Sequence, residues 1–261
     1  MKKVNEGILN EYDFVELFNN KKFLDLDSNS QKFLKDLYGD YLDDKDYTIK
    51  SWKNKMNQKA DLFIKYKNNI KRVSIKKGND NSLHHEVIED FRGYLEKIGM
   101  PFKIIDYYSS YHYGYARYAN GKTNFDICLT SEEYKKLYQS EIDIFNKEIN
   151  KTKIIMDMID RFIIRGRNSD YDIDALIHGT PNNYIWIKKY DIYDMILSKR
   201  SMEFTSPHVA CMTIGPKKRN IERNPSYSKE RYVVCIRMNY LKESIQEFNN
   251  KKEGIVDGLQ D

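Results

Sequence analysis

The stretch KADLFIKYKNNIKRVSIKKGNDNSLHHE, residues 59–86, decides how this chain is read. Residues 60–66 alternate like a half-buried strand, Asn68-Asn69 has the chemistry of a tight turn, and residues 71–76 alternate again as a returning strand. Side chains along a strand point to opposite faces in turn, so Leu62, Ile64 and Tyr66 share a face when the strand is half-buried. If Val73 and Ile75 bury against the same layer, Asp61, Ser74 and Lys76 emerge together on the other side. A polar turn at 78–81 follows. Ser82 then reads as the cap of a helix running to about Ile98 and stopped by Gly99 and Pro101. Leu83, Val87, Ile88, Phe91, Leu95 and Ile98 form its apolar face. Glu86 and Asp90 lie on one flank, about 120° and about 80° from its middle, while Glu89 falls near the solvated pole. A first-turn Glu86 would return toward the strand ends.

This arrangement resembles the PD-(D/E)xK nuclease superfamily, the restriction endonuclease-like enzymes. An acid there starts one strand, a second acid and a lysine sit two residues apart on the next, and a helix follows. Asp61 matches the first acid and Lys76 the lysine. The second acid is replaced by Ser74, and Ala60 stands where the motif has proline. The resemblance implies a variant in which Glu86, from the following helix, supplies the missing carboxylate. It further implies an α/β fold with a mixed central sheet flanked by helices, and a magnesium-dependent endonuclease cutting double-stranded DNA as a homodimer, a type II restriction enzyme first of all. Asp61, Glu86 and the backbone carbonyl of Ile75 would hold Mg2+, oxygen ligands suiting a hard cation. Lys76 would orient the attacking water and Ser74 would hydrogen-bond near it. Two other readings stand beside this one: a same-fold nuclease of phage defence or repair acting on other nucleic acids, and a non-catalytic nucleic-acid-binding protein.

Outward from this core, helices are predicted over 5–20, 30–41, 131–164 and 190–199, with Ser28 or Asn29 capping the second. Strands are predicted over 102–108, 125–129, 173–177, 184–187, 209–214 and 231–238. With no internal repeat or low-complexity tract, this reads as one domain over 1–248: a catalytic core over about 1–130, an elaborated DNA-contacting part over about 131–248, and a tail at 249–261. The resemblance to the PD-(D/E)xK superfamily, where an early-helix acid sometimes joins the metal site, makes Glu11 and Glu16 on the first helix further candidate acids. Residues 107–122, YYSSYHYGYARYANGK, offer Tyr111, Tyr113 and Arg117 for stacking on bases, or else simply pack as an aromatic arch. Residues 215–230, GPKKRNIERNPSYSKE, offer Lys217, Lys218, Arg219, Asn220 and Arg223 for phosphate and base-edge contacts, or a solvated loop. Lys77 adds a cation beside Lys76. The Asp172-Ile173-Asp174 run looks like a metal pair only superficially, since strand alternation interleaves acid with apolar residue.

Composition narrows the class. The chain carries 44 basic and 39 acidic residues, a net charge of +5, which permits an anionic partner without demanding one. Its three cysteines, Cys128, Cys211 and Cys235, are too far apart for a zinc knuckle or a disulfide scaffold and fit a reducing compartment. The N-terminus turns acidic too early for a signal peptide, and no apolar run approaches bilayer length. A cytoplasmic protein with no membrane partner is expected.

Overall fold

The computed structural model describes residues 6–56, 58–78, 82–114, 129–167, 169–200, 204–218 and 225–254, the side chains of 225–228 excepted. In chain order the elements are α1 (Glu6–Phe18), β1 (Lys21–Lys22), α2 (Ser28–Tyr38), β2 (Thr48–Lys53), β3 (Leu62–Tyr66), β4 (Asn69–Lys76) and β5 (Ser82–Val87). There follow α3 (Ile88–Lys97), α4 (Phe102–Tyr113), α5 (Ser131–Ile149), α6 (Thr152–Ile159), β6 (Ala175–Thr180) and β7 (Asn183–Lys188). The last are α7 (Lys189–Ser198), β8 (His208–Val209), β9 (Met212–Pro216), β10 (Val233–Arg237) and α8 (Leu241–Lys252). No described helix is long and apolar enough to cross a membrane.

These elements form two compact units, and the division does not fall near residue 130. One unit gathers residues 1–81, 163–195 and 239–261; the other takes 82–162 and 196–238.

The first unit is built on a six-stranded sheet in the order β1-β2-β3-β4-β6-β7. The β4–β6 pair is parallel and its other pairs are antiparallel, so the sheet is mixed. The β3–β4 hairpin forms as the alternation predicts, one residue early at its turn, where Lys67 takes the positive φ of 49° that such tight connections demand. Leu62, Ile64, Val73, Ile75, Ala175 and Ile177 present the buried face, covered by Phe14 and Phe18 of α1 and Phe33, Leu34 and Leu37 of α2. Asp27 caps α2, its carboxylate accepting from the amides of Asn29 and Ser30. Tyr38 donates its hydroxyl to the Ile64 carbonyl at 2.7 Å, which satisfies a polar atom inside this layer.

The second unit carries a four-stranded sheet in the order β5-β10-β9-β8, together with α3 to α6. Residues 82–87 are strand and not the first turns of a helix. They pair antiparallel with β10, Val87 against Val233 and His85 against Cys235, and the tertiary ladder overrides the helical spacing of their apolar residues. Residues 102–113 are helix and not strand, entered through Pro101 and closed by Gly114 in the left-handed conformation. The predicted helix over 131–164 is interrupted at Asn150, resumes at Thr152 and ends in a π-helical turn over Asp160–Ile164. The expected strand at 125–129 lies almost wholly outside the described residues.

Candidate active site

Asp61 sits immediately before β3, and the loop that delivers it is tied down by Asn54. That buried side chain donates to the Ala60 carbonyl at 2.9 Å and accepts from the Met56 amide at 2.9 Å, while the Asn54 backbone N–H donates to the Asp61 carbonyl. The Asp61 amide donates in turn to the Val73 carbonyl at 2.9 Å, continuing the β3–β4 ladder by one residue. With Leu62 opposite Val73, Asp61 comes opposite Ser74. The side chains meet: Ser74 Oγ donates to Asp61 Oδ2 at 3.0 Å, and the Ile75 amide donates to the same oxygen at 2.7 Å. One carboxylate oxygen is thus held by two donors, and Oδ1 takes no hydrogen bond among the described residues. Ser74, fully buried, is therefore a positioning residue for the carboxylate. A second acid here would have set two negative charges about 3 Å apart in a buried place.

Lys76, two residues on from Ser74, shares that outer face and is partly buried. Lys59 joins it from the loop. Burial pushes its amine well below the usual lysine range, the Lys76 charge pushes the same way, and Asp61 opposes both. Its stem lies against Gly166, where an added Cβ would stand 3.0 Å from the Lys59 Cβ. Reading the motif forward from Asp61 misses Lys59. Carrying the strand alternation two residues backward is the signal that would have found it. His178 of β6 stands beside Lys76 in the parallel register, its Nε2 3.1 Å from the Gly78 carbonyl.

Glu86 requires a correction. It lies on β5, before helix α3 begins at Ile88, so the helical-flank argument does not apply to it. In the second unit its side chain is 1% exposed and its Oε2 accepts from Arg161 at 2.7 Å, with His84 Nε2 at 3.6 Å. The Arg161 guanidinium also lies over the Tyr94 ring, 4.5 Å from its centroid. Oε1 is buried without a hydrogen-bond partner. Glu89 is solvent-exposed on α3, as its place on the helix implies. Of the two acids on the first helix, Glu11 pairs with Lys53 at 2.7 Å and Glu16 is exposed.

The expected aromatic nucleic-acid contact is corrected too. Tyr111 and Tyr113 are buried on α4, 5% and 0% exposed, Tyr111 packing edge-on against Tyr134 and Tyr113 against His112. They build a core and present no face to a base. Among the basic residues, Lys77 and Lys218 are exposed and Lys217 is paired with Glu230 at 2.9 Å. Arg117, Arg219, Asn220 and Arg223 lie outside the described residues. Arg231, at the end of the same stretch, is buried and donates to the Tyr113 carbonyl at 3.1 Å. Asp172 and Asp174 face cations: Asp172 meets Arg165 and Lys189, and Asp174 meets Lys71. Among the described residues, no three His, Cys, Asp or Glu side chains gather as a metal cluster.

The mixed sheet flanked by helices is that of a restriction endonuclease-like fold. Restriction endonuclease MspI, solved in complex with its cognate DNA, is similar over 88% of both chains, with a TM-score of 0.53 and 11% sequence identity. The likeness is one of fold. No known protein family and no curated protein matches the sequence.

Proposed function

We propose that this chain is an endonuclease that hydrolyses DNA phosphodiester bonds, with Asp61 and Lys76 as its catalytic residues, in the manner of a type II restriction enzyme. The observation that carries this reading is the carboxylate of Asp61, oriented through one oxygen by Ser74 and Ile75, on the same sheet face as Lys76. Hydrolysis needs a water aligned with the phosphorus, a bond formed from its oxygen as the bond to the leaving oxygen breaks, and stabilisation of the charge that develops. Lys76 is suited to orient that water and to face the growing negative charge, and Lys59 adds a second basic group beside it.

The donor set fits magnesium, which commonly takes one or two carboxylates and completes its shell with waters and substrate phosphates. Asp61 Oδ1 and the Ile75 carbonyl would hold it. When bound, the ion would neutralise charge on the phosphate oxygens. Cutting two antiparallel strands calls for two such sites, hence a homodimer.

A second reading, nucleic-acid binding without catalysis, is favoured by Ser74 in place of an acid and by the engagement of Glu86 with Arg161. Incubation of unmethylated genomic DNA with the purified chain and magnesium separates the two. Discrete fragments that disappear with D61A and K76A support the nuclease. Binding that persists in EDTA with no cleavage in magnesium or manganese supports the other reading.

A further inference from the structure

Beyond the catalytic pair, the outer face of the first unit's sheet carries an aromatic and basic strip. Trp52 and Phe63 are cross-strand partners on β2 and β3, with ring centroids 5.5 Å apart and planes at 20°. Trp52 remains 39% exposed despite that stacking. Two residues along each strand, Lys50 and Lys65 are also directly opposed. Like charges in that position repel, and neither has an acidic partner within ion-pair distance among the described residues. Lys50 donates only to the neutral Asn20 Oδ1, at 2.5 Å. None of the outward residues of β2, β3 and β4 is acidic. Acids flank them at Asp61, before β3, and at Asp174, before β6, which accepts from the Arg72 amide at 2.8 Å.

An exposed, rigidly backed indole supplies a stacking platform, and opposed lysines about 7 Å along the strand from it supply an uncompensated site for phosphate. We propose that this strip binds a single DNA strand, a base stacking on Trp52 and the backbone phosphates meeting Lys50 and Lys65. The inference rests on the nucleic-acid reading above and adds to it a preference for an unpaired base beside Asp61. A base of any identity offers a π face, so the contact is indifferent to sequence.

Anisotropy of a labelled oligonucleotide in EDTA, where no cleavage intervenes, tests this with the full chain. The probes are a single strand, the same strand with abasic sites, and its flush-ended duplex. Wild type is expected to bind the single strand more tightly than the abasic one, and W52A to bind it roughly tenfold more weakly, as loss of one stacked base implies. W52F should retain most of the affinity. The K50E/K65E double variant, which leaves the aromatic pair intact, should weaken binding and flatten its salt dependence. Indole emission should be quenched by the single strand in wild type and unchanged in W52F, which keeps only Trp186, 8% exposed. W52A and K50E/K65E binding the single strand as wild type does would overturn the strip. So would normal duplex binding with no quenching by any probe, and the nuclease reading would survive it. If wild type binds none of the probes, the strip falls, and the nuclease reading is decided by the cleavage of genomic DNA in magnesium.

Discussion

In the proposed site, Asp61 and Ser74 would divide between them a task given to two acids in the superfamily motif that the hairpin resembles. The serine hydroxyl fixes the carboxylate through Oδ2 and brings no charge of its own. Removing this support should cost activity without removing chemistry: S74A is expected to lower cleavage by about 10- to 100-fold, the usual effect of losing a supporting hydrogen bond behind a ligand. It should also raise the magnesium concentration needed for half-maximal cutting. D61A should abolish cleavage and, by leaving the Ile75 amide and the buried Ser74 hydroxyl without their acceptor, also lower stability by about 1–3 kcal/mol; K76A should lower cleavage by roughly 10²- to 10⁴-fold and leave the thermal unfolding transition nearly unchanged. Cleavage rates of the three variants on one substrate, beside their melting curves, check this. Glu86 gives a sharper test. E86A leaves the partly buried Arg161 guanidinium without its anion, so a loss of about 1–3 kcal/mol of stability is expected. E89A, on the exposed face of α3, should change little. Urea unfolding of the pair decides.

At the scale of elements, the hairpin over residues 62–76 was legible because strand alternation there agrees with its final burial: Leu62, Ile64 and Tyr66 are buried, and Phe63 and Lys65 lie outward. The same logic correctly set Asp61, Ser74 and Lys76 on one face. Residues 82–87 were not legible. Leu83 and Val87 fall at helical spacing, and the partner strand that makes them a ladder lies at Val233–Arg237, too distant for any local pattern to signal. The helix over 102–113 was hidden by β-branched and aromatic residues that its buried surroundings tolerate. The break at Asn150 follows from side-chain roles that sequence does not display. Asn150 Nδ2 donates to the carbonyls of Asn146 and His208, and its Oδ1 accepts from the Ala210 amide. N150A should therefore loosen the β8–β9 hairpin, raising amide exchange at Ala210 ahead of global unfolding. Gly179, near the end of β6 and opposite Tyr184, has φ at +130°, and a Cβ there would collide with the Asn183 carbonyl. A G179A variant should be destabilised by more than about 1 kcal/mol in urea.

For the whole molecule, a net charge of +5 and the exposed lysines at 77 and 218 are compatible with the anionic partner proposed above. DNA affinity should fall linearly with log salt, with a slope that K77A reduces by about one. Stability should also depend on pH through His178. Burial holds its imidazole below the ordinary value of 6.5, against a raising contribution from the Gly78 carbonyl, with Lys242 and Glu243 of α8 exerting opposite pulls and Lys76 beside it in register. Above about pH 6.5 the ring is neutral whether the chain is folded or not. Below it the unfolded chain takes up a proton that the folded chain resists, so stability declines as pH falls through the folded value. H178N should flatten that decline in urea titrations between pH 7 and 5. The interleaving of the two units reaches further, into synthesis on the ribosome. Strand β4, with Lys76 at its end, leaves the tunnel long before β6, the neighbour that completes its ladder. Throughout that interval the nascent chain carries an open, β-branched edge, the kind of surface that recruits wrong partners. A chain stopped at residue 170 should therefore aggregate, and translation slow enough to prolong this interval should reduce the yield of soluble protein.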